Sequence, residues 1–250
     1  MAQQVKPDEI ERAALQAYRA DPRLGHSFKL SCISVEGDGT LALEGEVSSV
    51  AEKKLAVLLA ARATGASGIV DRVRVRPVAP VGDKEMRAQL RATLATDVDF
   101  IDLDVREDIA PGIVATEFKP VASAAGGARG RIDIEVEEGV IILNGSVPTL
   151  VRKRLAGALA WRIAGARDVL NGLVVEPSEE DGPDRLEEAV RVVLERDPVF
   201  DAAQIKVGVR GRVVRLTGLL RSQNARRAAV NDAWTVFGVD EVIDEIEVRP

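Results

Sequence analysis

The segment 133–177, DIEVEEGVIILNGSVPTLVRKRLAGALAWRIAGARDVLNGLVVEP, recurs without a gap at 33–77 and again at 206–250. The copies share Leu43/Leu143/Leu216, Gly45/Gly145/Gly218, Ala56/Ala156/Ala229, Ala60/Ala160/Ala233, Gly65/Gly165/Gly238, Val75/Val175/Val248 and Pro77/Pro177/Pro250. A fixed repeat means that one supersecondary unit is used again, so its copies define the architecture. The shared residues are small or apolar, and none is a nucleophile, a base or a metal ligand. They speak of build rather than of chemistry.

Around the start of that segment Ile132, Ile134 and Val136 alternate with Asp133, Glu135 and Glu137, the period-two pattern of a strand buried on one face. Glu138-Gly139 turns the chain into a second strand, Val140 to Val147. The equivalents are Phe28 to Val35, turning at Gly37-Asp38-Gly39 into Leu41 to Val47, and Ile205 to Val209, turning at Arg210-Gly211 into Val213 to Leu220. Glycine supplies the positive φ that such hairpins need. A helix follows, with Ser48 or Ser49, Thr149 and Ser222 as N-caps and with Gly65, Gly165 and Gly238 as stop signals. Val73/Val75, Leu173/Val175 and Ile246/Val248 mark a last strand.

Working outward, each copy is preceded by a helix-period segment. Asp8 can cap a helix carrying Ile10, Ala14, Leu15 and Tyr18; Asp83 precedes Met86, Leu90 and Leu94; Asp184 precedes Leu186, Val190, Val193 and Leu194. These helices stop at Asp21-Pro22, Asp97 and Asp197-Pro198, where proline disfavours continuation. The predicted fold class is α+β: three tandem αββαβ two-layer sandwich domains, each with a mixed three-stranded sheet and two helices on one face. The predicted domains are 1–77, 83–177 and 184–250, joined by the short linkers 78–82 and 178–183. The second carries an Ala/Gly/Pro-rich insertion at about 106–130, read as a surface loop.

With 46% apolar but only 3% aromatic residues, each core is built from Val, Leu, Ile and Ala, and packing between neighbours is expected to support stability. The formal charge of −6, with both signs interspersed, argues against a duplex nucleic-acid binder. The single cysteine, Cys32, excludes an intramolecular disulfide and a cysteine zinc site, and its strand neighbours predict an inert, partly buried thiol. The single histidine, His26, excludes a multi-histidine centre, and Ser27 beside it lacks a nucleophile-elbow motif. No catalytic residue, cofactor or metal is predicted. The N-terminus lacks a basic start followed by an apolar core, and no apolar run has membrane-spanning length. The expectation is a cytoplasmic protein without a transmembrane segment, or a periplasmic one if a signal was removed.

The run Val136-x-x-Gly139-x-x-x-Leu143-x-Gly145-x-Val147, the alanine-rich basic helix, the Gly165-Ala166 turn and the closing Val169-x-Asn171-x-Leu173-x-Val175 resemble the BON domain. That family is named for bacterial osmotically inducible and nodulation proteins. The resemblance covers nearly the whole chain in three copies, departing at Leu219-Leu220 and in the insertion. It implies non-catalytic modules that associate with phospholipid, envelope structures or other proteins, often under osmotic stress. Many relatives are periplasmic, and one related architecture binds potassium.

Two surface patterns carry the binding expectations. A dibasic pair recurs in the second helix of each copy, Lys53-Lys54, Lys153-Arg154 and Arg226-Arg227, with Arg152 and Arg221 nearby. Near a helix N-terminus these cations could face an anion such as a lipid headgroup; the alternative is a solvated face or pairing with strand acids. Trp161 and Trp234 share one repeat position, with Ala61 as their counterpart. A helical wheel sets Trp161 beside Gly157 and Ala158, opposite Leu155, Ala156, Leu159 and Ile163, and pairs Val230 with Trp234. An apolar stripe where water is expected marks an interface, between modules or toward a membrane or partner. A third pattern, the acids Asp97, Asp99, Asp102, Asp104, Glu107 and Asp108, reads as solvated carboxylates or a weak cation site.

The functional expectation is a non-enzymatic binding module associating peripherally with anionic phospholipid or envelope components. The alternative is a protein–protein or oligomerising scaffold, with Arg72, Arg74 and Arg76 of one copy suited to Glu245 and Glu247 of another, giving a homo-oligomer. A third is a potassium or calcium sensor.

Overall fold

In the computed structural model the described residues are 7–24, 28–36, 39–66, 68–107 and 129–249. His26, Ser27, Gly37, Asp38, Asp108 and most of the insertion lie outside them. The chain divides into two compact units, Met1–Arg76 and Pro77–Pro250.

The first unit is one αββαβ module: α1 (Pro7–Ala20), β1 (Cys32–Val35), β2 (Leu41–Val47), α2 (Val50–Thr64) and β3 (Ile69–Val75). β2 is central, antiparallel to β1 and parallel to β3. The apolar alternation read from sequence puts Leu41 and Leu43 of β2, Ala56 and Ala60 of α2, Ala14 of α1 and Val73 of β3 in one core, all fully buried.

The second unit holds two modules. One comprises α3 (Asp83–Thr96), β4 (Asp104–Glu107), β5 (Arg131–Glu137), β6 (Val140–Val147), α4 (Leu150–Trp161), β7 (Asp168–Asn171) and β8 (Val174–Val175). The other comprises α5 (Pro183–Glu195), β9 (Ile205–Arg210), β10 (Val213–Leu220), α6 (Gln223–Thr235) and β11 (Glu241–Val248). β10 lies between β9 and β11, repeating the order of the first unit. The predicted α+β class and the tandem modules are therefore present.

The Leu-x-Gly signature has a steric origin. Leu43, Leu143 and Leu216 are fully buried, and the glycine two residues on lets the neighbouring strand pass. At Gly145, φ is +115°, and an added Cβ would stand 2.1 Å from the Arg131 carbonyl oxygen. At Gly218 the same atom would stand 2.0 Å from the Gln204 carbonyl oxygen, and at Gly45 2.9 Å from the Ser31 nitrogen. No side chain fits there.

The second helices are capped by Ser49, Thr149 and Ser222, whose hydroxyls accept from the N–H groups of Glu52, Arg152 and Ala225. Several expectations need correction. Asp8 lies inside the first turn of α1 and does not cap it. Only α2 ends on its glycine, Gly65; α4 stops at Trp161 and α6 at Thr235, so Gly165 and Gly238 serve the turns beyond. β1 starts at Cys32, not Phe28, and as an edge strand leaves the thiol exposed. The second module's sheet exceeds three strands. Residues 104–107, at the edge of the insertion, form β4, which pairs parallel with β5, and the last strand is broken into β7 and β8.

Candidate interaction surface

Helix α4 is where the two modules of the second unit meet. Residues 154–160 are all buried, so the helix has no wet face over two turns. One side packs on its own strands β6, β7 and β8, and the other packs against α5 and α6 of the following module. On the side of its own sheet a glycine makes the approach close. A Cβ at Gly157 would lie 2.8 Å from Asn171 Nδ2, which donates to the Lys153 carbonyl at 2.7 Å.

Polar ties surround this apolar contact. Arg154, 2% exposed, donates from Nε to the Phe237 carbonyl at 2.9 Å and from Nη2 to Asp181 in the linker at 2.7 Å. Its Nη1 is buried and finds no partner among the described residues. Glu179, also in the linker, accepts from the Leu150 N–H at 2.8 Å and so holds the start of α4. The linker is a strap across the helix rather than a slack connection. At the other end Arg196, just after α5, pairs with Asp97 at 3.1 Å and with Asp99. Lys153 sits 5.4 Å from the Phe237 ring centroid, and burial together with the neighbouring Arg154 pulls its ammonium below the usual lysine range.

Arg162 completes the ring, donating at 2.7 Å to Asp232 of α6 and at 3.0 Å to the Val193 carbonyl of α5. Asp232 is buried, which pushes its carboxyl from 3.8 up to about 6; Arg162 opposes the rise and Asp197 adds to it. The folded carboxyl thus binds its proton more tightly than the unfolded one. The resulting stability is present below the unfolded value and lost as pH rises through about 6. Asp232→Asn removes this titration, so the variant gains on the parent by about 2 kcal/mol between roughly pH 4 and pH 7. Urea denaturation at each pH reads the difference, and a constant difference across the range contradicts the prediction.

The structure disperses the residues read as an anion site. Lys53 is buried, its Nζ 2.6 Å from both Asp71 and the Val73 carbonyl, pinning α2 to β3. Arg226 makes the matching tie to Asp244 at 2.8 Å. In the middle copy Asn171 replaces the acid, and Lys153 turns to Phe237 instead. Arg152 pairs with Asp102 at 2.8 Å, Lys54 is half-buried, and Arg227 is exposed. Trp234 is buried, Trp161 and Val230 are half-buried, and Gly157 and Ala158 are buried, Gly157 facing Asn171 of its own sheet. The acidic cluster also faces cations: Asp97 and Asp99 meet Arg196, Asp102 meets Arg152, and Asp104 meets Arg106. Among the described residues no group of acids, histidine and cysteine is arranged to hold a metal ion, and no helix is long and apolar enough to cross a membrane. The last-strand charges are paired within their own modules, Arg72 with Glu36, Arg76 with Glu46, Glu245 with Arg215 and Glu247 with Arg249.

Fold and contact together define a protein of tandem αββαβ modules in which one second helix, α4, is packed by the module that follows it. The BON domain model matches residues 8–77, 121–177 and 183–250, and the chain belongs to the BON domain family. No curated protein matches the sequence. Among solved structures the chain is similar to the C-terminal domain of CdsD, the structural protein of the type III secretion system of Chlamydia trachomatis. Identity is 14%, with 97% of this chain and 96% of that one covered and a TM-score of 0.25. A second CdsD structure gives 14% identity, coverage of 96% and 92%, and a TM-score of 0.24.

Proposed function

We propose that the chain is a non-enzymatic interaction scaffold whose BON modules recognise protein surfaces through their second helices. The supporting observation is α4, enclosed on both sides by its own sheet and the next module. The positions on α2 equivalent to Gly157, Ala158, Leu159 and Trp161 are Val57, Leu58, Leu59 and Ala61, of which the first three are half-buried and the last exposed. Four of the seven cations read as lipid ligands, Lys53, Arg152, Arg154 and Arg226, bind carboxylates of the chain itself, and Trp234 is enclosed. These features favour a protein partner over a lipid surface. The partner that fits most directly is a second copy, since the chain already supplies a module surface that packs on such a helix.

Sedimentation velocity over a wide concentration range tests this. A mass that grows with concentration, and that Leu58→Glu suppresses, is the expected result; a strict monomer throughout overturns it. Flotation with anionic vesicles at low salt, abolished by added salt, would replace the scaffold reading with peripheral lipid association.

A further inference from the structure

All three modules meet one packing problem beside the end of the central strand, and the third leaves it unsolved. At the repeat position just ahead of the first hairpin strand, the first module has Leu30, 6% exposed. The second has Gly130 at that position, and Leu103 packs over it, its Cδ2 3.2 Å from where a Cβ would be. Leu103 is 9% exposed. The third has Ala203, exposed in the short 3-10 turn Ala202–Gln204, and among the described residues no leucine stands over that turn. Phe100 of the second module is fully buried, whereas its counterpart Phe200 is half-buried, and Leu219 is 41% exposed. A recess of about 990 Å³ opens there, floored by Phe200, Leu220 and Ala225 and rimmed by Arg221 and Arg249.

The sheet edge beside the recess is open as well. In the second module Leu103 leads directly into β4, whose first N–H donates to the Gly130 carbonyl at 3.0 Å and which runs parallel to β5. The plug and the added strand are one continuous segment, Leu103–Glu107. The third module has neither, and among the described residues β9 pairs only with β10.

We propose that the third module carries a strand-addition site that takes, from a protein partner, an extended segment with a leucine for the recess followed by acidic residues along β9. The inference rests on the scaffold reading and specifies where and how one partner is held. Orientation and register come from the second module, where Arg106 lies opposite Asp133 and Val105 opposite Ile132. The residues of β9 at those positions are Lys206 and Ile205, so the charge demand is inverted. A guest with an acid where β4 has Arg106 faces Lys206, and Arg210 and Arg221 extend the basic border. Main-chain pairing supplies affinity, while the leucine recess and the basic edge supply selectivity.

The probe is a labelled synthetic peptide with the sequence of residues 102–107 carrying Arg106→Glu, titrated into the intact chain and followed by fluorescence anisotropy. Saturable binding is expected, with the unaltered Arg106 peptide weaker. Ala225→Leu, which fills the recess from its floor, should weaken the Glu peptide roughly tenfold or more while preserving the melting transition. Replacing the peptide's own leucine by alanine should do the same on unaltered protein. Hydrogen exchange of the β9 amides should slow on binding. Absence of saturable binding, equal affinity for Ala225→Leu, or binding without β9 protection would each overturn the site. Such a failure is distinguishable from failure of the scaffold reading, which is scored separately by the concentration dependence of mass.

Discussion

Gly145→Ala will prevent the second module from folding, costing more than about 4 kcal/mol, whereas Gly65→Ala will cost only about 1 kcal/mol. Both glycines have positive φ, but Gly65 at +61° sits in the left-handed region that other residues can enter, whereas Gly145 at +115° lies outside it. Space separates them further. A Cβ at 145 meets the Arg131 carbonyl oxygen at 2.1 Å, while a Cβ at 65 meets nothing within 4 Å. The obstructing atom is backbone and cannot rotate away. Ile132, which pairs across from Gly145, and Leu143 beside it are fully buried, so the hairpin cannot shift without exposing core. Gly218→Ala should behave like Gly145→Ala, its Cβ lying 2.0 Å from a carbonyl oxygen. Denaturation followed by far-ultraviolet circular dichroism measures the losses, and equal losses at 145 and 65 would refute the steric account.

The reach of the sequence follows from the range of the forces involved. Strands β2, β6 and β10 have the limits read from alternation because each is bounded by turn residues and is central in its sheet. The three helix caps were legible because a cap is satisfied within three residues. β4 was not, since Asp-Val-Arg-Glu has one apolar residue and draws its definition from pairing with a strand beyond the insertion.

The candidate site was legible as an interface but not as to what covers it. Small residues on α4 announce close approach, yet nothing local says that α5 and α6 lie above them. The basic pairs leave both readings open in the sequence for a related reason: the carboxylates that Lys53, Arg152, Arg154 and Arg226 meet lie 18 to 50 residues away. A usable signal did exist in the repeat itself. Lys53 recurs with Asp71 and Arg226 with Asp244, and the copy that has Asn171 instead uses Lys153 differently.

Asp181→Ala should destabilise the Pro77–Pro250 unit by about 3 kcal/mol, more than Arg154→Met, even though Asp181 is half exposed and Arg154 is buried. The asymmetry lies in what each change leaves behind. Removing Asp181 strands a guanidinium that is 2% exposed, with Nη1 already unpartnered and only the Phe237 carbonyl still accepting from Nε. Removing the arginine instead leaves a carboxylate that water reaches, and methionine fills most of the vacated volume. Arg154→Met should therefore cost about 1 kcal/mol. Once Arg154 is methionine, Asp181 has no buried charge to balance, so the double variant should resemble Arg154→Met alone. The cycle then returns a coupling of about 3 kcal/mol. Because Asp181 lies in the strap across α4, its loss should also speed protease cleavage within 178–182, where Arg154→Met does so less. Additive single effects in the cycle would mean that the arginine is held by packing, and the ion pair would lose its place as the fastening between the two modules.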